Sequence, residues 1–170
     1  MGGYHPALAA ILIYASRTSL EELVIAPPGG LQKFLNALRE NWSATDTTRM
    51  RMQNLRSLML RISHPPNVIT SVWPCLDDAQ EILNLASTSN LAVLNVTFSL
   101  DMLHELPKNV DNPSLRLFEQ SIARFAVGRT NVSFSAEHWR KNRDASWATS
   151  FFAKAFPGLY GQGKLKVASQ

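Results

Sequence analysis

At 170 residues, with 45% apolar and 18% charged side chains, the chain suits one folded domain that buries roughly 70% of its unfolded surface and needs no metal or disulfide staple. Seventeen lysines and arginines against thirteen aspartates and glutamates leave a net charge of +4, a mild bias towards polyanions that falls short of a dedicated basic tail. A single cysteine, Cys75, rules out an internal disulfide framework and suits a reducing compartment.

The apolar run Ala7 to Ala15 is too short to span a bilayer and no basic residue precedes it, so neither a signal peptide nor a membrane segment is expected. Pro6 stands where a myristoylation signal wants Ser or Thr, and no lipid anchor is expected. Within residues 6–25, Ser19 followed by Glu21 and Glu22 predicts the start of a short helix running through Val24. Ala26-Pro27-Pro28-Gly29-Gly30 reads as a linker.

Leu31, Phe34, Leu35, Leu38 and Trp42 fall at i, i+3, i+4, i+7 and i+11, one stripe of a helix. Met52, Leu55, Met59 and Ile62 repeat the helical spacing, with Asp46 or Thr47 as cap and Arg49, Arg51, Arg56 and Arg61 along the same stretch. His64-Pro65-Pro66 ends this second helix, because proline lacks a donor and forces its predecessor out of the α region. The β-branched run from Val68 to Trp73-Pro74 then predicts an extended arm.

Leu76, Ala79, Leu83 and Ala86 predict a third helix, with Asp77, Asp78 and Glu81 in its first turns, where the helix dipole favours acids. Residues 87–109 admit two readings: Leu91 to Leu100 is rich in β-branched and apolar residues, while Asp101 to Leu106 suits a turn of helix before Pro107. Asn112 is a good N-cap, Pro113 suits the first helical position, and Leu115, Phe118, Ile122 and Phe125 form a regular stripe ending near Gly128. Trp139, Arg143, Trp147 and Phe151 recur every four residues and predict a further helix within 135–155. Residues 156–170 read as a loose, basic tail.

No internal repeat emerges, and the sum predicts an all-α fold, an up-down four-helix bundle with short extended segments. A single domain 1–170 is expected, with an N-terminal arm and linker (1–30), the helical bundle (31–155) and a C-terminal tail (156–170).

His5, His64, His104 and His138 are scattered, Cys75 has no local helper, and there is no phosphate loop or nucleophile elbow, so no metal and no cofactor are expected. Asp77 with Asp78 has the makings of an acid/base pair, but acids favouring a helix N-terminus are a several times commoner explanation, and no enzyme is expected. Arg49, Arg51, Arg56 and Arg61 form one basic cluster, and Arg116, Arg124 and Arg129 a second. A solvated helix face explains any one such cluster roughly twice as often as nucleic-acid contact does.

In order along the chain, these motifs resemble those of the coat proteins of rod-shaped, tobacco-mosaic-virus-like plant viruses. Asn36-Ala37-Leu38, Trp42 and Arg49 resemble the connection between that family's first two helices. Pro66-Asn67-Val68-Ile69-Thr70 through Trp73-Pro74 is similar to its proline-flanked strand. Leu76-Asp77 and then Thr88 and Asn90 match its third helix, and Val110-Asp111-Asn112-Pro113-Ser114-Leu115 the start of its fourth. Phe134 with Trp139 or Trp147 resembles its terminal aromatic pair. Ser89 and Leu91 stand where the family has arginines.

The resemblance implies a capsid subunit, found in the virion and host cytoplasm, that self-assembles into a helical rod around single-stranded RNA. It places Asp111, Asn112, Ser114 and Arg116 in the RNA groove, with Arg124 nearby. The rival expectation is an α-helical module, monomeric or dimeric, that binds nucleic acid or a protein through its arginine-bearing helices.

Overall fold

Two periods compete between Leu55 and Ile62, and the shorter one prevails. Leu58, Leu60 and Ile62 alternate with Met59 and Arg61, and in the computed structural model the first three are buried while the other two are exposed. The stretch is therefore a strand, and the second helix predicted over Met52 to Ile62 is corrected. Met59, which that helix would have buried, points to solvent. The structure describes residues 5–27, 31–41, 52–63, 73–86, 90–99, 110–127, 130–136, 145–163 and 166–167. Trp42, the caps Asp46 and Thr47, the His64-Pro65-Pro66 stop, most of the 68–74 arm, Gly128, Arg129 and Trp139 lie outside them.

The elements run α1 (Pro6–Ser16), β1 (Glu22–Ile25), α2 (Leu31–Asn41), β2 (Ser57–Ile62), α3 (Trp73–Leu85) and β3 (Val93–Phe98). They continue with α4 (Pro113–Ala126), β4 (Asn131–Ala136), α5 (Ala145–Ala155), α6 (Pro157–Gly161) and β5 (Lys166–Val167). The architecture is α/β, a five-stranded sheet in the order β1-β2-β3-β4-β5 with every pairing parallel. This overturns the four-helix bundle. A parallel ladder needs a crossover between successive strands, and the helices read as a bundle are those crossovers.

Several local expectations hold and others are corrected. The helices predicted from Leu31, from Leu76 and from Asn112 are present as α2, α3 and α4, and the Asn112 side chain accepts a hydrogen bond from the Ser114 backbone N–H at 2.9 Å. The short helix expected from Ser19 to Val24 is instead β1, since parallel pairing with Ser57–Leu60 holds Glu22–Ile25 extended. Trp73 and Pro74 open α3 rather than close a strand, proline being tolerated in a first helical turn. Of the helix expected over 135–155, Ser135 and Ala136 instead complete β4, and the described helix is Ala145–Ala155. The tail expected to be loose carries α6 and β5.

The strands also reveal a repeat. Glu22 pairs with Ser57, Ser57 with Val93 and Val93 with Asn131, so equivalent positions recur after 35, 36 and 38 residues. Asn54-Leu55-x-x-Leu58-x-Leu60-x-Ile62 and Asn90-Leu91-x-x-Leu94-x-Val96-x-Phe98 occupy the same places in successive turns. The Asn54 side chain donates to the Thr18 carbonyl and the Asn90 side chain to the Gln53 carbonyl, the same bond one turn apart. The helices pack on one another in chain order, α1 on α2, α2 on α3 and α3 on α4, as one layer against one face of the sheet. The core lies between the layers and ends in a cluster of buried rings, Phe98, Phe118, Phe134, Phe152 and Phe156.

Candidate functional site

Strand alternation sends every second side chain away from the helices, and the parallel register aligns those side chains in rows. One row holds Glu22, Ser57, Val93 and Asn131, the next Val24, Met59, Asn95, Ser133 and Lys166, and the third Arg61, Thr97 and Ser135. No described helix lies on this face. At its β1–β2 end the exposed apolar side chains Val24, at 65%, and Met59, at 45%, lie between the charged Glu22 and Arg61. Across β3 and β4 it is a hydroxyl and amide surface whose members hold one another. Ser133 is hydrogen-bonded to the Asn95 side-chain oxygen, and the Thr97 and Ser135 hydroxyls lie 2.9 Å apart. At the β5 edge, Lys166 Nζ donates to the Asn131 side-chain oxygen at 3.3 Å. Such cross-strand polar pairs fix the rotamers of the face before anything binds to it.

The residues expected in an RNA groove lie elsewhere. Asp111 is exposed in the turn before α4, Asn112 caps that helix, and Ser114 is half-buried in its first turn. Arg124 is exposed and donates to the Asn84 side-chain oxygen of α3 at 2.6 Å. Arg116 is turned into the structure: its Nε donates to the Val110 carbonyl at 2.6 Å, one terminal nitrogen to the Ala155 carbonyl at 2.8 Å, and the other pairs with Glu119. Glu119, only 8% exposed, accepts in turn from the backbone N–H groups of Gly158 and Leu159 at 2.7 and 3.1 Å. The structure thus brings Asp111, Asn112, Ser114 and Arg116 together at the start of α4, with Arg124 two turns on, and commits Arg116 to holding α5 and α6 in place.

A second cluster joins α2 to α3. Arg39 pairs with Glu81, and this hydrogen bond holds the Arg39 guanidinium above its ordinary value. Burial raises the Asp78 carboxyl against the opposing pull of Arg39. Burial, reinforced by Asp78, pushes the Cys75 thiol up to about 11. The thiol stays protonated at neutral pH, which is the wrong state for a nucleophile. Alkylation of native Cys75 at pH 8 is expected to run about a hundredfold slower than in urea, against an ordinary value of 9.0. The native rate should climb about tenfold per pH unit towards 11; equal rates in buffer and urea would place the thiol at the surface. Among the described residues, no group of three or more His, Cys, Asp or Glu side chains is disposed to hold a metal ion.

Fold and face together define the class, a singly wound parallel β/α solenoid with its helices on one side of the sheet and, among the described residues, no helix on the other, although Ser135 on that side is buried. The chain matches no family model, and no match is found among curated proteins or solved structures. Sequence reasoning missed the face altogether. The signal was present in the two Asn-Leu-x-x-Leu-x-apolar blocks 36 residues apart, where the positions between the leucines are those that point outward.

Proposed function

We propose that the chain is a non-enzymatic binding module that takes a protein partner on the open face of its sheet. The observation that carries this reading is the set of three aligned side-chain rows with no described helix over them. Solenoids built from stacked strand–helix turns use their sheet face as an extended binding surface, and Leu-x-x-Leu-x-Leu blocks mark the strands of leucine-rich horseshoes, although these turns are longer. The chemistry of the face favours polypeptide over nucleic acid. Its charges, Glu22, Arg61 and Lys166, are mixed in sign, and its centre is Met59, Asn95, Thr97 and Ser133.

The coat-protein expectation draws on a bundle order of helices, and the α/β architecture removes that support. With Arg116 engaged by Val110, Glu119 and Ala155, the start of α4 has little left for phosphates. The test is a photo-crosslinking residue placed in cells at Met59, at Val24 or, as control, at the exposed Gln120 of α4. The same protein should be captured from Met59 and Val24 and not from Gln120, and Met59→Glu should abolish capture from Val24. Capture of RNA, or rods in negative stain on adding single-stranded RNA, would overturn this reading in favour of the capsid.

A further inference from the structure

A surface helix of a folded protein keeps one stripe apolar, and a helix that is apolar all round is one that is covered all round. The first helix, Pro-Ala-Leu-Ala-Ala-Ile-Leu-Ile-Tyr-Ala-Ser, is of the second kind. Ala9, Ala10 and Ile13 face inward and pack on the core. Leu8, Ile11, Leu12 and Ala15 fall at i, i+3, i+4 and i+7, a complete apolar stripe, and all four are exposed, Leu8 at 57%, Ile11 at 49% and Leu12 at 59%. Beside this stripe, β1 pairs with β2 along one edge, and no described strand takes the other.

At each internal junction of the solenoid, a helix face and a strand edge are covered together by the next turn, as α2 and β2 cover α1 and β1. The α1/β1 end presents both, and among the described residues nothing covers either. The opposite end differs. Phe151, Phe152, Phe156 and Leu159 are buried there, while the described exposed residues include Ser150, Lys154, Tyr160, Gly161 and Gln162. The described exposed residues of that end are largely polar or small, with Tyr160 at 46% the exception. Head-to-tail stacking would set the apolar stripe against Lys154 and its polar neighbours, whereas two α1/β1 ends brought face to face match stripe with stripe.

We infer that two copies of this chain pair through their α1/β1 ends about a twofold axis, α1 stripe on α1 stripe and β1 against β1. Around a twofold the two strands run antiparallel and continue the sheet. Opposed residues of an antiparallel pair share a face, so pairing centred on Val24 sets Val24 opposite Val24 and Leu23 of each copy opposite Ile25 of the other. The two Glu22 carboxylates then sit roughly 14 Å apart, beyond the ~8 Å screening length of physiological salt, so their repulsion is largely screened. A twofold contact of this kind closes at two copies and cannot propagate into a rod.

Sedimentation velocity of the full chain over a wide concentration range tests this. A monomer–dimer equilibrium is expected, with Leu8→Glu and Leu12→Glu each weakening the dimer at least tenfold while far-UV circular dichroism is unchanged. Leu117→Glu, on the exposed face of α4, should leave the dimer intact, and mixing Leu12→Glu with Leu12→Lys should restore a mixed dimer. A monomer at every concentration, species that grow beyond two copies, or a dimer indifferent to both Leu8→Glu and Leu12→Glu would overturn the inference.

Discussion

Phe134→Ala is expected to destabilise the protein by about 3 to 5 kcal/mol, read as a shift of the urea midpoint with unchanged slope. Phe134 is fully buried on β4, with the rings of Phe98, Phe152 and Phe156 centred 5.4, 5.4 and 4.9 Å away. All three pairs meet edge to face at 65 to 75°. Such contacts add about 0.5 to 1.5 kcal/mol to the transfer term. The cost is high because the cavity is shared by elements far apart in the chain. Phe98 comes from β3, and Phe152 and Phe156 come from α5 and the turn after it, so no local shift fills the void. In a domain of this size the loss corresponds to a fall in Tm of roughly 10 °C. A loss below about 1 kcal/mol would mean that α5 does not dock over the β3–β4 end of the sheet.

Arg116→Ala is expected to cost about 3 kcal/mol, the lower part of the range for removing one partner of a buried ion pair. The lower part applies because the Arg116 side chain is 28% exposed, against 10% for Glu119. What is lost is a three-way clamp. Arg116 ties the turn before α4 to the end of α5, and it orients the Glu119 carboxylate that receives the first N–H groups of α6. Gly158 belongs to the same device, since a Cβ there would stand 3.1 Å from Glu119 Oε1. Lysine is a point charge without the planar fork, so Arg116→Lys should recover only a fraction of the loss. Arg124→Ala, which gives up one exposed bond to Asn84, should change stability by less than about 0.5 kcal/mol. Equal, small effects for both arginines in urea denaturation would show that Arg116 is not engaged as described and would return it to the pool of available phosphate ligands.

The contrast between these two arginines shows where reading the chain reached and where it stopped. Arg116 and Arg124 both sit on α4, both leave the Leu115, Phe118, Ile122 and Phe125 stripe, and local spacing treats them alike. Their difference arises from Val110, Ala155 and the start of α6, which the fold brings to one and not to the other. The same holds for Met59 and Leu58. Leu55, Met59 and Ile62 satisfy a helical period, Leu58, Leu60 and Ile62 a strand period, and only the neighbouring strands β1 and β3 decide between them by offering a ladder on both sides. For β1 the local signal pointed the wrong way, since Ser19 with Glu21 and Glu22 reads as a helix start until pairing with β2 is available.

By itself, the sequence determined α2, α3 and α4, the cap of α4 by Asn112 and Pro113, and the apolar stripes that those helices bury. Helix signals are local: a hydrogen bond reaches four residues along the chain, and a cap and a stripe are complete within one segment. Only the tertiary structure decided the parallel sheet, the repeat of 35 to 38 residues and the open face, because each strand finds its partners more than thirty residues away. A strand's exposed side has no meaning until its register with those partners is set.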